Sequence, residues 1–262
     1  MAWAHHLPSE RVGEPAERPG RSRAWVRCEL LIGYGLILTV IWTPRPLQRW
    51  LYLAAVVWIA FSTAWSFPGW KALGFRTAGF GRSLWVVGIA LLVAASAALL
   101  ASSLHTLHHP VGPLQWVETF GGYAVWALLQ QFLLQGYFLL RLQRVLPSAT
   151  WAAVAAAAIF ALAHLPNPIL TPITLIWGLT ACFVFLRNRN IWPLAMAHAI
   201  FGICLAVTVP GPVVHNMRVG LGYFTYRAPK HLHFSQSDHS VSTVACVTAD
   251  APTRRRSRQA LP

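Results

Sequence analysis

Long apolar runs separated by short polar or Pro/Gly-rich breaks set the plan of this chain. The runs cover residues 26–42, 47–67, 83–104, about 114–140, 150–165, 169–186 and 191–209. Most approach the roughly 20 residues that a helix needs to cross hydrocarbon. Pro44 and Pro46 close the first run, and Pro68-Gly69 the second. Pro166 and Pro168 close the fifth, and Pro210-Gly211-Pro212 the seventh. The pattern predicts an all-α polytopic membrane helix bundle of about seven spans. The fourth run is long enough to tilt or to extend past the bilayer. The fifth is alanine-rich, and small residues let helices approach closely, so it is expected at the bundle centre. Four segments are expected: a disordered cytoplasmic arm (1–25), N-terminal membrane helices (26–113), a membrane core (114–209), and a basic, mostly disordered tail (210–262). Residues 213–226 of that tail are expected to fold back on the bundle.

Composition agrees with the pattern. The 262 residues are 56% hydrophobic and 11% charged, with mean hydropathy +0.50, against roughly 25% charged in a soluble domain. A net charge of +14 raises the question of nucleic acid. The arginines lie at the chain ends and in short loops, not as a stripe on a folded surface, so a nucleic-acid partner is not expected. Their placement fits the positive flanks of membrane helices. Counting Lys and Arg puts the N-terminus, the 67–82 loop, the Arg141/Arg144 loop and the Arg187/Arg189 loop on one side. Arg45 and Arg49 fall on the other. The expected location is a bacterial plasma membrane, with the N-terminus cytoplasmic. The polar first residues do not make a signal peptide. Cys28, Cys182, Cys204 and Cys246 are scattered and contain no CxxC pair, which signals neither zinc nor a disulfide framework.

The polar residues inside apolar runs carry the candidate chemistry. Gln130, Gln131 and Gln135 stand in the fourth run where leucines would be ordinary. A polar group in hydrocarbon costs several kcal/mol, roughly, unless it is bonded. They are therefore expected to face protein, water or a ligand. His164 ends the fifth run and His198 sits in the middle of the seventh. These five side chains are expected to converge on one cavity. The glutamines look functional rather than structural, so Gln131→Leu is expected to be tolerated. Glu29 is expected to be an interfacial charge that snorkels or pairs, beside Arg27. Glu118 lies too far along the fourth helix to serve the glutamine row. His105, His108 and His109 form a cluster in a short loop, read as exposed.

These residues resemble the CPBP family of intramembrane proteases, which includes the type II CAAX prenyl endopeptidases and the bacteriocin-immunity proteins. The family shows Glu-Glu-x-x-x-Arg, then Phe-x-x-x-His, then His-x-x-x-Asn or Asp, on successive helices. Here Gln130-Gln131-Phe-Leu-Leu-Gln135 stands in the first place. Phe160-Ala-Leu-Ala-His164 matches the second in full, and His198-Ala-Ile-Phe-Gly202 matches the third at its histidine. The resemblance covers about residues 115–205. It implies hydrolysis of a peptide bond, with glutamates and a histidine activating water and the third motif stabilising the oxyanion. A carboxamide cannot take a proton from water. Gln130, Gln131 and Gln135 can orient water or bind a carbonyl, which leaves His164 as base and His198 as oxyanion donor.

Three readings stay open: an intramembrane endopeptidase acting on a membrane-associated peptide or protein, a pseudoprotease that binds such a partner without cutting it, and a small-solute transporter. No inverted repeat of broken helices supports the last. No P-loop, GxGxxG or HExxH motif is present, and two histidines without a carboxylate make a poor zinc site. No cofactor and no metal are expected.

Overall fold

A computed structural model of the chain describes residues 22–110 and 112–227. The expected disordered arm and the tail beyond Arg227 lie outside the described residues, as do Cys246 and the tail histidines. Seven apolar helical segments form the bundle. They are α1 (Arg23–Trp42), α2 (Leu47–Trp65), α3 (Phe80–Ser103), a continuous fourth segment, α6 (Ala149–Leu162), α7 (Leu170–Asn188) and α8 (Trp192–Thr208). The fourth segment joins α4 (Pro113–Gln131), a π-helix (Phe132–Leu139) and α5 (Leu140–Val145). Five segments are long and apolar enough to cross a membrane, and α6 and α8 are shorter apolar helices. The protein is an integral membrane helix bundle, as the apolar runs predict.

The ends follow from local chemistry. Ser22 caps α1 by accepting from Trp25 N–H, and Ser148 caps α6 by accepting from Trp151 N–H, which satisfies donors left open by the first turn. Proline sits in the first turn of α4 and of α8, where its missing N–H does no harm. Ala152, Ala153, Ala156 and Ala157 of α6 are all fully buried. Ala157 lies against Gly178 of α7, where a Cβ on the glycine would come 3.3 Å from it. This close seam is what an alanine-rich helix permits in the absence of a hydrophobic drive between helices.

One end of the bundle holds the start of α1, the end of α2, the 66–79 loop, α5 and the α7–α8 turn. There the Asn190 amide donates to the carbonyls of Arg76 and Ala78, and Ile191 N–H donates to that of Gly74. The opposite end is closed by α9 (Gly211–Val214), a 3-10 turn (His215–Met217) and α10 (Leu221–Phe224). Gly220 N–H donates to the Leu165 carbonyl at 2.7 Å, and Phe224 packs on Trp42. Residues 213–226 therefore do fold back on the bundle.

Two charges sit deeper than expected. Glu29 does pair, but as a buried group rather than an interfacial one, with Arg141 at 3.1 Å. Arg141 is no loop charge. It is buried, and it donates to Glu29 Oε2, the Tyr137 and Ser62 carbonyls, and Ser66 Oγ. Its guanidinium lies 3.8 Å from the Tyr137 ring centroid. The Tyr137 hydroxyl donates to the Glu29 carbonyl and accepts from Ser62 Oγ. This network pins α1 and α2 to the fourth segment. The sequence pattern breaks at Arg141, but the helix does not, because a partnered guanidinium can stay inside.

Candidate functional site

The site is built where α4, α6, α7 and α8 meet. Gln131 is the last residue of α4 and has no solvent exposure. Its carboxamide nitrogen lies 2.9 Å from Nδ1 of His198 on α8. His198 is 6% exposed, so this is a buried interhelical bond. His164 follows the end of α6 and is half-buried. Its Nδ1 lies 2.7 Å from the Phe160 carbonyl, one turn back. The Phe160 ring centroid is 4.9 Å from that of His164 and 6.0 Å from that of His198, edge-on to both. Trp177 of α7 borders His198 at 6.1 Å.

These partners assign the two imidazoles opposite roles. A backbone carbonyl can only accept, so Nδ1 of His164 carries hydrogen and Nε2 keeps its lone pair. The Gln131 carboxamide donates to Nδ1 of His198, so neutral His198 carries its hydrogen on Nε2. In this arrangement Nε2 of His164 can accept a proton and Nε2 of His198 can donate one. The carboxamide's orientation sets the second assignment.

Not all five candidates come together in the same way. Gln131, His164 and His198 form a cluster around Phe160. Gln130 points about 100° away from Gln131 on the helix and is half-buried. Gln135 is fully buried, and neither its oxygen nor its nitrogen has a hydrogen-bond partner among the described residues. It lies four residues after Gln131, across the start of the π-helix. The Leu140 N–H bonds to the Gln135 carbonyl, five residues back. Such widened turns recur at functional sites.

Gln131 Oε1 and Trp177 Nε1 are also buried without partners. Native proteins satisfy nearly all such groups, so a group of exceptions calls for a functional explanation. Carboxylates are not part of the cluster. Glu29 is held by Arg141, and Glu118 is exposed on α4. His108 and His109 bond to nearby backbone carbonyls, Thr106 and Pro110. Among the described residues, no group of three or more His, Cys, Asp or Glu is placed to hold a metal ion.

Sequence reasoning missed Trp177 and the Glu29–Arg141 network. Trp177 carries no periodic signal that separates it from a lipid-facing tryptophan. Glu29 and Arg141 lie far apart in the chain, and neither one alone announces the other.

No curated protein and no solved structure matches the chain. Residues 112–204, which hold all five candidate side chains, match the family model described as type II CAAX prenyl endopeptidase Rce1-like.

Proposed function

We propose that this membrane protein, whose core is like that of the CAAX-type intramembrane proteases, hydrolyses a peptide bond of a membrane-associated substrate with histidines alone as its acid–base groups. The observation that carries the reading is the pair of imidazole contacts, Nδ1 of His164 at 2.7 Å from the Phe160 carbonyl and Nδ1 of His198 at 2.9 Å from the Gln131 carboxamide nitrogen. Nε2 of His164 takes a proton from water as the water oxygen bonds to the carbonyl carbon. Nε2–H of His198 donates to the oxygen that gains negative charge. His164 then gives its proton to the amide nitrogen as the C–N bond breaks, releasing a carboxylic acid and an amine. The unpartnered atoms of Gln131 and Gln135 offer an acceptor and a donor to the peptide backbone. A carboxamide matches a peptide unit in both respects. The Lys- and Arg-rich end of the bundle is assigned to the cytoplasm of a bacterial cell.

The test uses purified protein and a panel of peptides anchored in micelles, with products read by mass spectrometry. Native protein should cut at least one peptide. His164→Ala should slow this by roughly 10²–10⁴-fold, the usual worth of general base catalysis.

A second reading, binding without cleavage, draws on the missing carboxylate, since the buried Glu29 is committed to Arg141. It predicts that native protein retains a peptide in pull-down and leaves it whole.

A further inference from the structure

A small cavity opens at the Lys- and Arg-rich end of the bundle, between the end of α2, the 66–79 loop and the fourth segment. Thr63, Ser66, Arg141 and Arg144 supply its polar lining, and no acid lines it. Arg141 and Arg144 are three apart on α5 and so share a face. Arg141 is buried and Arg144 is exposed, which puts one at the floor of the cavity and the other at its mouth.

Donors are left over on this lining. A threonine inside a helix ordinarily gives its hydroxyl hydrogen to the carbonyl four residues back, as Thr39, Thr174, Thr180 and Thr208 do. For Thr63 that carbonyl belongs to Ile59, and it takes the Ser62 hydroxyl instead. Thr63 Oγ1 is buried without a partner among the described residues. Arg141 uses Nε on Glu29, Nη2 on Ser62 and Ser66, and Nη1 once, on the Tyr137 carbonyl. One hydrogen of Nη1 is therefore left. Glu29 balances the charge of Arg141; nothing on the lining balances that of Arg144.

The cavity measures about 10 Å³, enough for about one water-sized group. An anion therefore enters by one oxygen and keeps its bulk at the mouth. A phosphate suits that division. One oxygen meets Thr63 and Arg141, and the others meet the planar guanidinium of Arg144. The level of the site names the source. Trp65 and Trp70, on the end of α2 and on the loop, are both exposed, and tryptophans of that kind mark the headgroup level.

We propose that this cavity binds the phosphate group of an anionic phospholipid, held by Thr63, Arg141 and Arg144. A choline headgroup carries the same phosphate together with a cation, for which the acid-free lining has no partner. None of the five candidate side chains lines the cavity, so the site does not depend on the peptide-bond reading.

The experiment mixes purified protein in detergent with phosphatidylglycerol, with phosphatidylcholine of the same acyl chains, or with inorganic phosphate alone. Native mass spectrometry measures the lipid retained, and thermal unfolding measures the stabilisation that binding gives. Native protein should retain phosphatidylglycerol in preference to phosphatidylcholine, and Tm should rise with it. Inorganic phosphate at the same concentration should leave Tm unchanged. Thr63→Val and Arg144→Gln should each weaken phosphatidylglycerol retention roughly tenfold or more, the worth of one hydrogen bond to a charged group. Thr63→Ser keeps the hydroxyl and should retain the lipid as native does. Arg187→Gln removes an exposed charge at the same end and should weaken retention less than about threefold at physiological salt, which screens distant charges. Unfolding without lipid shows whether each variant is folded. Should Arg144→Gln fail to fold, Thr63→Val, which loses only an unbonded hydroxyl, decides. Retention unchanged in Thr63→Val and Arg144→Gln overturns the site. An equal loss in Arg187→Gln also overturns it, because the lipid then reads only overall charge. Stabilisation by inorganic phosphate equal to that by the lipid overturns the lipid as the source of the phosphate.

Discussion

Replacing Gln135 by leucine should stabilise the protein. Gln135 is fully buried, and both of its carboxamide atoms lack a hydrogen-bond partner among the described residues. Leaving a buried polar group unmet costs about 1–3 kcal/mol. Leucine has a similar bulk and needs no partner. For a chain of this size, one kcal/mol corresponds to roughly 2–4 °C in Tm, so Gln135→Leu should raise Tm by about 2–12 °C. Gln131→Leu is the matched control. The sequence pattern by itself predicts that this change is tolerated, but the fold revises that. Gln131 donates to His198 Nδ1 across a buried interface. Its loss forfeits a membrane hydrogen bond averaging about 0.6 kcal/mol, at most about 1.7, and leaves His198 unmet on one side. Gln131→Leu should therefore leave Tm unchanged or lower it. Thermal unfolding in one detergent, followed by circular dichroism, gives both values. A fall in Tm for Gln135→Leu together with a rise for Gln131→Leu would refute the reasoning, because it would exchange the bonded and unbonded roles. The expected functional counterpart is that Gln135→Leu, although more stable, loses peptide binding, as sites kept at a cost in stability do.

Other outcomes follow from the same geometry. Nitrogen-15 shifts of the histidine side chains near neutral pH should show hydrogen on Nδ1 of His164 and on Nε2 of His198; the same tautomer at both would remove the acid–base pairing. Peptide cleavage should fall as pH is lowered and His164 takes up a proton, because the base is its neutral form; a rate that rises toward acid would contradict that role. Arg141→Met should destabilise the protein by about 3–5 kcal/mol, because it removes the buried guanidinium that pairs with Glu29 and bridges α2 to the fourth segment, and adding Glu29→Leu should recover part of the loss. Chemical unfolding of the single and double variants measures this. Gln131→Glu sets an acceptor-only carboxylate against Nδ1 of His198 and draws that ring's hydrogen from Nε2, so it should slow peptide cleavage; a faster rate in the cleavage assay would show that His198 is not the donor.

Much of the architecture was legible from local pattern. Apolar run length and the prolines between runs located the seven helices within a few residues, because the cost of unbonded backbone in lipid leaves little choice but helix. The same argument marked Gln130, Gln131, Gln135, His164 and His198 as facing inward; Gln131, Gln135 and His198 are buried, and Gln130 and His164 are half-buried. Tertiary structure decided what local pattern could not. It set which atom of each histidine carries hydrogen, because that depends on Phe160 for one and on a glutamine from another helix for the other. It turned Arg141 from a loop charge into a buried anchor by bringing Glu29 to it from the first helix. It set a π-helix right after Gln131, which the run of apolar residues does not announce. It placed the Tyr123 hydroxyl over Gly202. In each case the partner comes from another helix or from a local widening of the backbone. Periodicity reports which face of a helix is buried, and only packing reports what that face meets.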